Sequence, residues 1–248
     1  MSTSHVSQLF IKLAREADMT EQTYLDVDPV AGILRSLPTS PPRQVNITTA
    51  GSLQNNDVSA AGSRANIIIS GEMGSLRSGA RVTIGQTQMR ITFPCEPCAH
   101  GARLAGTPLG RFRQLDRHLA VITSPGRIGH SEHAAFEYDV YPPVPGDFKA
   151  RAAWAVGQIP AGTVVRSPEF LTAIGASRSY HRALPGWLRQ AVDRGLPGHR
   201  VLPADLAPPS WSPEAVRKLA DEGLHPGAYG AAIWPLVSAL WSNQTSAT

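Results

Sequence analysis

A chain of 248 residues with 42% hydrophobic residues can form one large domain or two ordinary ones, each with its own core. Its opening, MSTSHVSQLFIK, has no basic stretch leading into an apolar one. The longest apolar run, residues 227–241, is too short and too broken by glycine and proline to span a bilayer, so the reading is a soluble, cytoplasmic protein with no membrane partner. The net charge of +4 is uneven: 13 basic and 13 acidic residues precede Phe148, and 10 basic and 6 acidic residues follow it. That asymmetry points to two domains with different partners, the second a polyanion such as DNA, against the plainer reading of ordinary surface charge.

In chain order, the first half reads as short strands. RQVNITTA (43–50), ANIIISG (65–71), ARVTIGQTQMRITFP (80–94) and HLAVITS (118–124) are β-branched and bounded by Gly, Pro, Asn or Ser. Residues 80–94 predict a hairpin turning near Gly85-Gln86. Many short strands without regular helices between them predict a compact β-barrel or sandwich over 1–140. Three prolines and a glycine between Tyr141 and Asp147 then predict a stiff linker over 141–147.

Helical signals follow. Residues 147–158 carry apolar positions at helical spacing. Ser167-Pro168-Glu169 predicts an N-cap and first turn, with Gly175 closing that helix. A third helix is expected from about Ser177, with Arg178 and Arg182 one turn apart, and a fourth opens at Ser212-Pro213-Glu214 and closes at Gly223. Short helices with a wing outline a winged helix-turn-helix over 148–224, followed by an apolar tail over 225–248. The fold class expected is therefore α+β.

Both cysteines lie in FPCEPCAHG, residues 93–101. With His130 and His133 they offer four zinc ligands, although the gap is far longer than in a zinc finger. A thioredoxin-like dithiol would need its first cysteine at a helix start inside a βαβ unit, whereas this pair follows a strand. A buried, inert pair is the bland alternative. A reactive thiolate suits the neighbourhood best, because His100 and the arginines Arg64, Arg90 and Arg103 fall near one strand end and would hold an anion. Glu96, between the cysteines, opposes a thiolate unless an arginine pairs with it.

SRANIIISG followed by LRSGARVTIGQTQMRITFPCEPC resembles the core of the MOSC domain, named after the C-terminal part of molybdenum-cofactor sulfurase. VSQLFIK and PRQVNITT extend the likeness over most of residues 6–124. The resemblance implies a small-molecule substrate or a sulfur-donor protein as partner. Cys98 becomes either the thiolate ligand of molybdenum in a molybdopterin-type cofactor or a carrier of sulfane sulfur. It also implies that Arg64 helps hold the cofactor, with the structural Asn66 beside it. Cys95 is then placed to resolve a persulfide as a disulfide, and His100 to shuttle the proton. Glu96 and Pro97 depart from the Ser and Arg of cofactor-binding members, and their separate N-terminal domain has no counterpart here.

WAVGQIPAGTVVRSPEFLTAIGASRSYHRAL and LPGHRVL, within residues 151–224, resemble the DNA-binding domain of alkylguanine-DNA alkyltransferases and alkyltransferase-like proteins. The alkyl-accepting cysteine of that family falls on Gly198, which has no nucleophile. His199 and Glu222 match the activating pair. Ser167 replaces a tyrosine, and the finger arginine falls on His181, beside Arg182. The resemblance implies DNA binding without alkyl transfer, through Arg178, His181, Arg182 and Arg189. The alternative is a retained fold serving docking or capping. Lys149, Arg151, Arg166, Arg194 and Arg200 add to the basic count.

Overall fold

Period-two runs of β-branched residues lay down the strands of the first half. In chain order these are β1 (His5–Lys12), β2 (Met19–Gln22), β3 (Tyr24–Asp28), β4 (Gly32–Ile33) and β5 (Val45–Thr49). A short helix, α1 (Ala50–Asn56), precedes β6 (Ile67–Ser70), β7 (Arg81–Ile84) and β8 (Thr87–Pro94). Two more, α2 (Ala99–Leu104) and α3 (Leu109–Phe112), precede β9 (Arg117–Ser124), β10 (Gly126–Gly129) and β11 (Ala134–Glu137). The computed structural model describes residues 4–71 and 76–241, without the side chains of 178 and 179. It divides into two compact units after Val144.

In the first unit eight strands form one mixed sheet in the order β11-β7-β8-β9-β5-β6-β1-β2, and β10, β3 and β4 form a second sheet. Only β5 and β6 run parallel, joined by the crossover that carries α1. The expected hairpin is present: Ile84 pairs with Thr87, and Gly85 takes φ +56°, as a two-residue turn requires of its first central position. The expected barrel is corrected. Among the described residues no ladder joins the end strands β11 and β2; the start of β1 instead meets residues 131–134 through the His5–His133 bridge and backbone hydrogen bonds from Val6 to Glu132, Ser131 to Val6 and Ala134 to Ser4. The reason lies in β1, where β6 holds one edge and β2 takes Leu9–Lys12 on the other, leaving only the first residues for β11.

Alternation places Val45 and Ile47, Ile67 and Ile69, Val82 and Ile84, Met89 and Ile91, and Ala120 and Ile122 in one apolar core. The opposite face buries Ile68 and Phe10 with Leu53, Ala102, Phe112 and Leu115, which seats α1, α2 and α3 on the sheet. β6 is thus buried on both sides. Each such aliphatic side chain contributes about 1.5–3 kcal/mol to the unit's stability.

Residues 141–144, expected to be free linker, are fastened to the first unit. Tyr141 donates its N–H to Gly79 O, Arg90 donates to Pro142 O at 3.1 Å, and Val144 N–H reaches Ser78 Oγ at 2.7 Å. Arg90 is buried, which lowers its pKa, and lies over the Tyr141 ring. It therefore clamps this segment.

The second unit contains α4 (Phe148–Gly157), β12 (Val165–Arg166), α5 (Ser167–Ala173), α6 (Leu184–Asp193), β13 (Val201–Leu202), α7 (Pro213–Asp221) and α8 (Leu236–Trp241). Asp147 caps α4 by accepting from the N–H groups of Lys149 and Ala150, and Ser212 caps α7 through Ala215 N–H. Gly175 and Gly223 end their helices at positive φ. Two expectations change. Ser167 is the first residue of α5 and gives no side-chain cap. Arg178–Arg182 forms a 3-10 turn, and the helix begins only at Leu184, ahead of Pro185, which suits a first turn. β12 pairs with β13 in parallel over two residues. Residues 225–241 of the apolar tail are integral, with Leu236 and Trp241 buried and Trp241 Nε1 donating to Ala173 O at 2.8 Å, while 242–248 lie outside the described residues. No helix among the described residues is long and apolar enough to cross a membrane.

Gly79 has φ +85°, and a Cβ there would lie 2.4 Å from Tyr141 O. Gly79→Ala should therefore destabilise the first unit by about 2–3 kcal/mol and release residues 141–144, measured by thermal melting and by hydrogen exchange at Tyr141.

Candidate functional site

Five neighbouring strands of the large sheet share one rim. There β8 ends beside the start of β9, while β5 and β6 begin side by side next to the second half of β1, which brings together residues far apart in sequence. β8 stops at Pro94, and Cys95 holds on by donating its N–H to Arg117 O at 2.7 Å. Cys98 then caps α2, its Sγ accepting from Gly101 N–H at 3.2 Å. A Cβ at position 101 would meet the Phe112 ring at 3.0 Å and Cys98 Sγ at 3.3 Å, so the glycine of CAHG lets ring and sulfur close on the helix. Both cysteines are free thiols, Cys95 half-buried and Cys98 exposed.

Behind them stands Asn66. Its Oδ1 accepts from Asn46 N–H at 3.0 Å and its Nδ2 donates to Phe10 O at 3.2 Å. Both ends of the amide thus join backbone, making Asn66 a strut of the rim. Asn46 Nδ2 donates to Arg64 O at 3.1 Å and approaches Cys95 Sγ at 3.9 Å. Arg64 itself adopts φ +62°, and its Nη2 donates to Ala17 O at 2.9 Å. Burial pulls its pKa down against the opposing charges of Asp18 and Glu16.

The sequence reading missed Arg117 and Lys12. Arg117 is 4% exposed, donates Nη1 to Ser63 O, and lies 4.0 Å over the Phe112 ring. Its Nε has no hydrogen-bond partner, and no carboxylate pairs with it among the described residues. Burial lowers its pKa, opposed by the sulfurs of Cys95 and Cys98. Lys12 is lowered by burial and by Arg64, and is raised by Glu16 and Cys98. The usable signal was the position of Arg117 at the start of β9, facing the end of β8 across one ladder.

Of the arginines expected here, Arg90 belongs to the 141–144 clamp. Arg103 pairs with Glu16 at 3.1 Å and faces His100 Nδ1 at 3.3 Å. An arginine only donates, so Nδ1 accepts and the ring proton sits on Nε2, 3.5 Å from Glu16 Oε1. Both ring nitrogens are engaged in an exposed trio with Arg103 and Glu16. The zinc quartet is not assembled: no group of three or more His, Cys, Asp or Glu able to hold a metal occurs among the described residues.

In the second unit, His199 Nε2 lies 2.9 Å from Glu222 Oε1, and Arg200 and Gly162 N–H complete the carboxylate's partners. Burial opposes ionisation of Glu222, but the hydrogen bonds from Arg200, His199 and Gly162 prevail and bring its pKa to about 2. Burial lowers His199 despite Glu222. At Gly198 a Cβ would stand 2.5 Å from Leu188 O and 3.2 Å from Ala191 Cβ, so α6 closes the place where a nucleophile would sit.

Three of the counted cations have internal duties. Arg151 is fully buried, donating to Ile174, Pro145 and Gly146 carbonyls. Arg189 donates twice to Trp211 O, and Arg200 is paired with Glu222. His181 and Arg182 are exposed on the 3-10 turn, and the side chain of Arg178 lies outside the described residues.

Residues 43–127 match the family model described as the MOSC domain. Solved structures similar to the chain include the YUAD protein from Bacillus subtilis, at 13% identity and TM-score 0.47, covering 55% of this chain and 97% of that one. YiiM from Geobacillus stearothermophilus gives 11% and 0.44 over 87% of this chain and 99% of that one, and YiiM from Escherichia coli gives 14% and 0.43 over 77% and 92%. No curated protein matches the chain.

The Glu222 network carries a pH prediction. Both pKa values are depressed on folding. The stabilisation is therefore complete above the ordinary 6.5 of His199 and 4.5 of Glu222, and is lost as pH falls, the Glu222 part between 4.5 and about 2. Glu222→Gln should lower the melting temperature at pH 7 and flatten its decline below pH 4.5, while Gly198→Cys should destabilise the unit without yielding an alkyl acceptor.

Proposed function

We propose that this is a MOSC-type enzyme acting on a small-molecule substrate, with the Cys98 sulfur as its working atom and as thiolate ligand of a molybdopterin-type molybdenum centre. The observation that carries the reading is Arg117, a buried guanidinium with an unpartnered Nε and no carboxylate, whose field is met by the two cysteine sulfurs. A buried cation without a counter-ion is costly, and an anionic sulfur or an anionic ligand relieves that cost. Lys12 and Arg64 extend the positive rim and suit a phosphate-bearing group, which supports Arg64 as a cofactor contact. The exposed Cys98 Sγ, steadied by Gly101 N–H, is the soft donor such a centre takes. Bound there, the centre would supply two-electron redox chemistry. The chain would hold its anionic groups and orient the Cys98 sulfur through α2.

A second reading rests on Arg117 meeting both sulfurs. Cys98 carries sulfane sulfur as a persulfide, and the Cys95 thiolate attacks Cys98 Sγ. The Cys95–Cys98 bond forms, the Cys98 S–S bond breaks, and hydrosulfide leaves; a dithiol reductant then restores both thiols. The second unit, closed at Gly198, serves as a docking module in either case.

Intact mass and metal analysis of anaerobically purified protein separate these readings. Molybdenum lost in Cys98→Ser and kept in Cys95→Ser is the expected result. A mass gain of one sulfur on Cys98 favours the carrier, and neither signal in the wild-type chain refutes both. Arg117→Met should reduce bound metal or sulfur about tenfold.

A further inference from the structure

The contact between α4 and α6 leaves a chamber that none of this chemistry uses. α4 presents Ala152, Ala153 and Val156 to it, and α6 presents Trp187, Leu188 and Ala191. Three alanines at a helix–helix contact fill little space, and a cavity of about 130 Å³ opening to solvent remains above the buried Phe170. A dry apolar cavity of about 150 Å³ holds one benzene ring. The lining also includes Lys149 at the start of α4, Arg194 just past the end of α6, and the Gln190 amide. Neither cation has an ion-pair partner among the described residues. Ala152 and Ala191 are buried while Lys149 and Arg194 are exposed, so the chamber is apolar within and positive at its rim.

We propose that this chamber binds a one-ring aromatic carboxylate, the ring between α4 and α6 and the carboxylate against Lys149 or Arg194. Chamber size selects the ring, and the unpaired cations select the anion over a neutral isostere. The chamber's lining includes neither Gly198 nor Glu222.

The test is calorimetric titration of the full chain with phenylacetate and with the isosteric neutral phenylacetamide. One saturable phenylacetate site of about millimolar affinity or better is expected for a ligand of this size. Phenylacetamide should bind about fivefold more weakly, a preference that falls with added salt. The exposed double variant Lys149→Gln/Arg194→Gln should bring both ligands to the same affinity. Ala153→Leu, which fills the chamber, should abolish binding of both with the melting temperature held. Absence of saturable phenylacetate binding, equal affinity for the amide in the wild-type chain, or binding that survives Ala153→Leu each overturns the proposal.

Discussion

The organisation of the first unit depends on the hydrogen bonds of Asn66. Its backbone and side chain together tie β6 to Asn46 at the start of β5 and to Phe10 in β1. A parallel pair flanked by antiparallel neighbours has an irregular rim, because the crossover must enter β6 where β5 also starts. A side-chain amide with one donor end and one acceptor end spans that irregularity, where a backbone ladder cannot. The consequences pass outward. Asn46 reaches Arg64 O and approaches Cys95 Sγ, so the left-handed turn at Arg64 and the first thiol are set by the same joint.

Three buried arginines show how one side chain acquires different roles. Arg90 and Arg151 both donate to backbone carbonyls of segments that lack secondary-structure partners, and so they are structural. Arg117 donates to Ser63 O, and the sulfurs of Cys95 and Cys98 oppose the lowering of its pKa by burial. The same distinction separates Arg103, screened in an exposed pair with Glu16, from the cations of the rim.

In the second unit the packing of α6 on the turn at Gly198 leaves no room for a side chain there. His199 and Glu222 keep their mutual contact because Arg200 and Gly162 share the carboxylate, a network that braces the unit. Residue identities that resemble an activating pair therefore perform structural work when the third partner is missing.

The strands of the first half, the hairpin at Gly85, the caps at Asp147 and Ser212 and the glycine stops at 175 and 223 were legible from sequence, since each depends on residues within a turn or two. So was the placing of Cys95 and Cys98 just past a strand end. Tertiary structure alone decided what depends on distant partners. It left the sheet without a closing ladder, because β2 occupies the edge of β1. It shortened the helix expected from Ser177, where Pro185 starts a new first turn. It drew residues 141–144 and the apolar tail into the two units, and it set Arg117 and Lys12 beside the thiols in place of Arg90. Side-chain identity specifies local geometry, but which strand ends share a rim is a property of sheet order, and sheet order is written in no single segment of the chain.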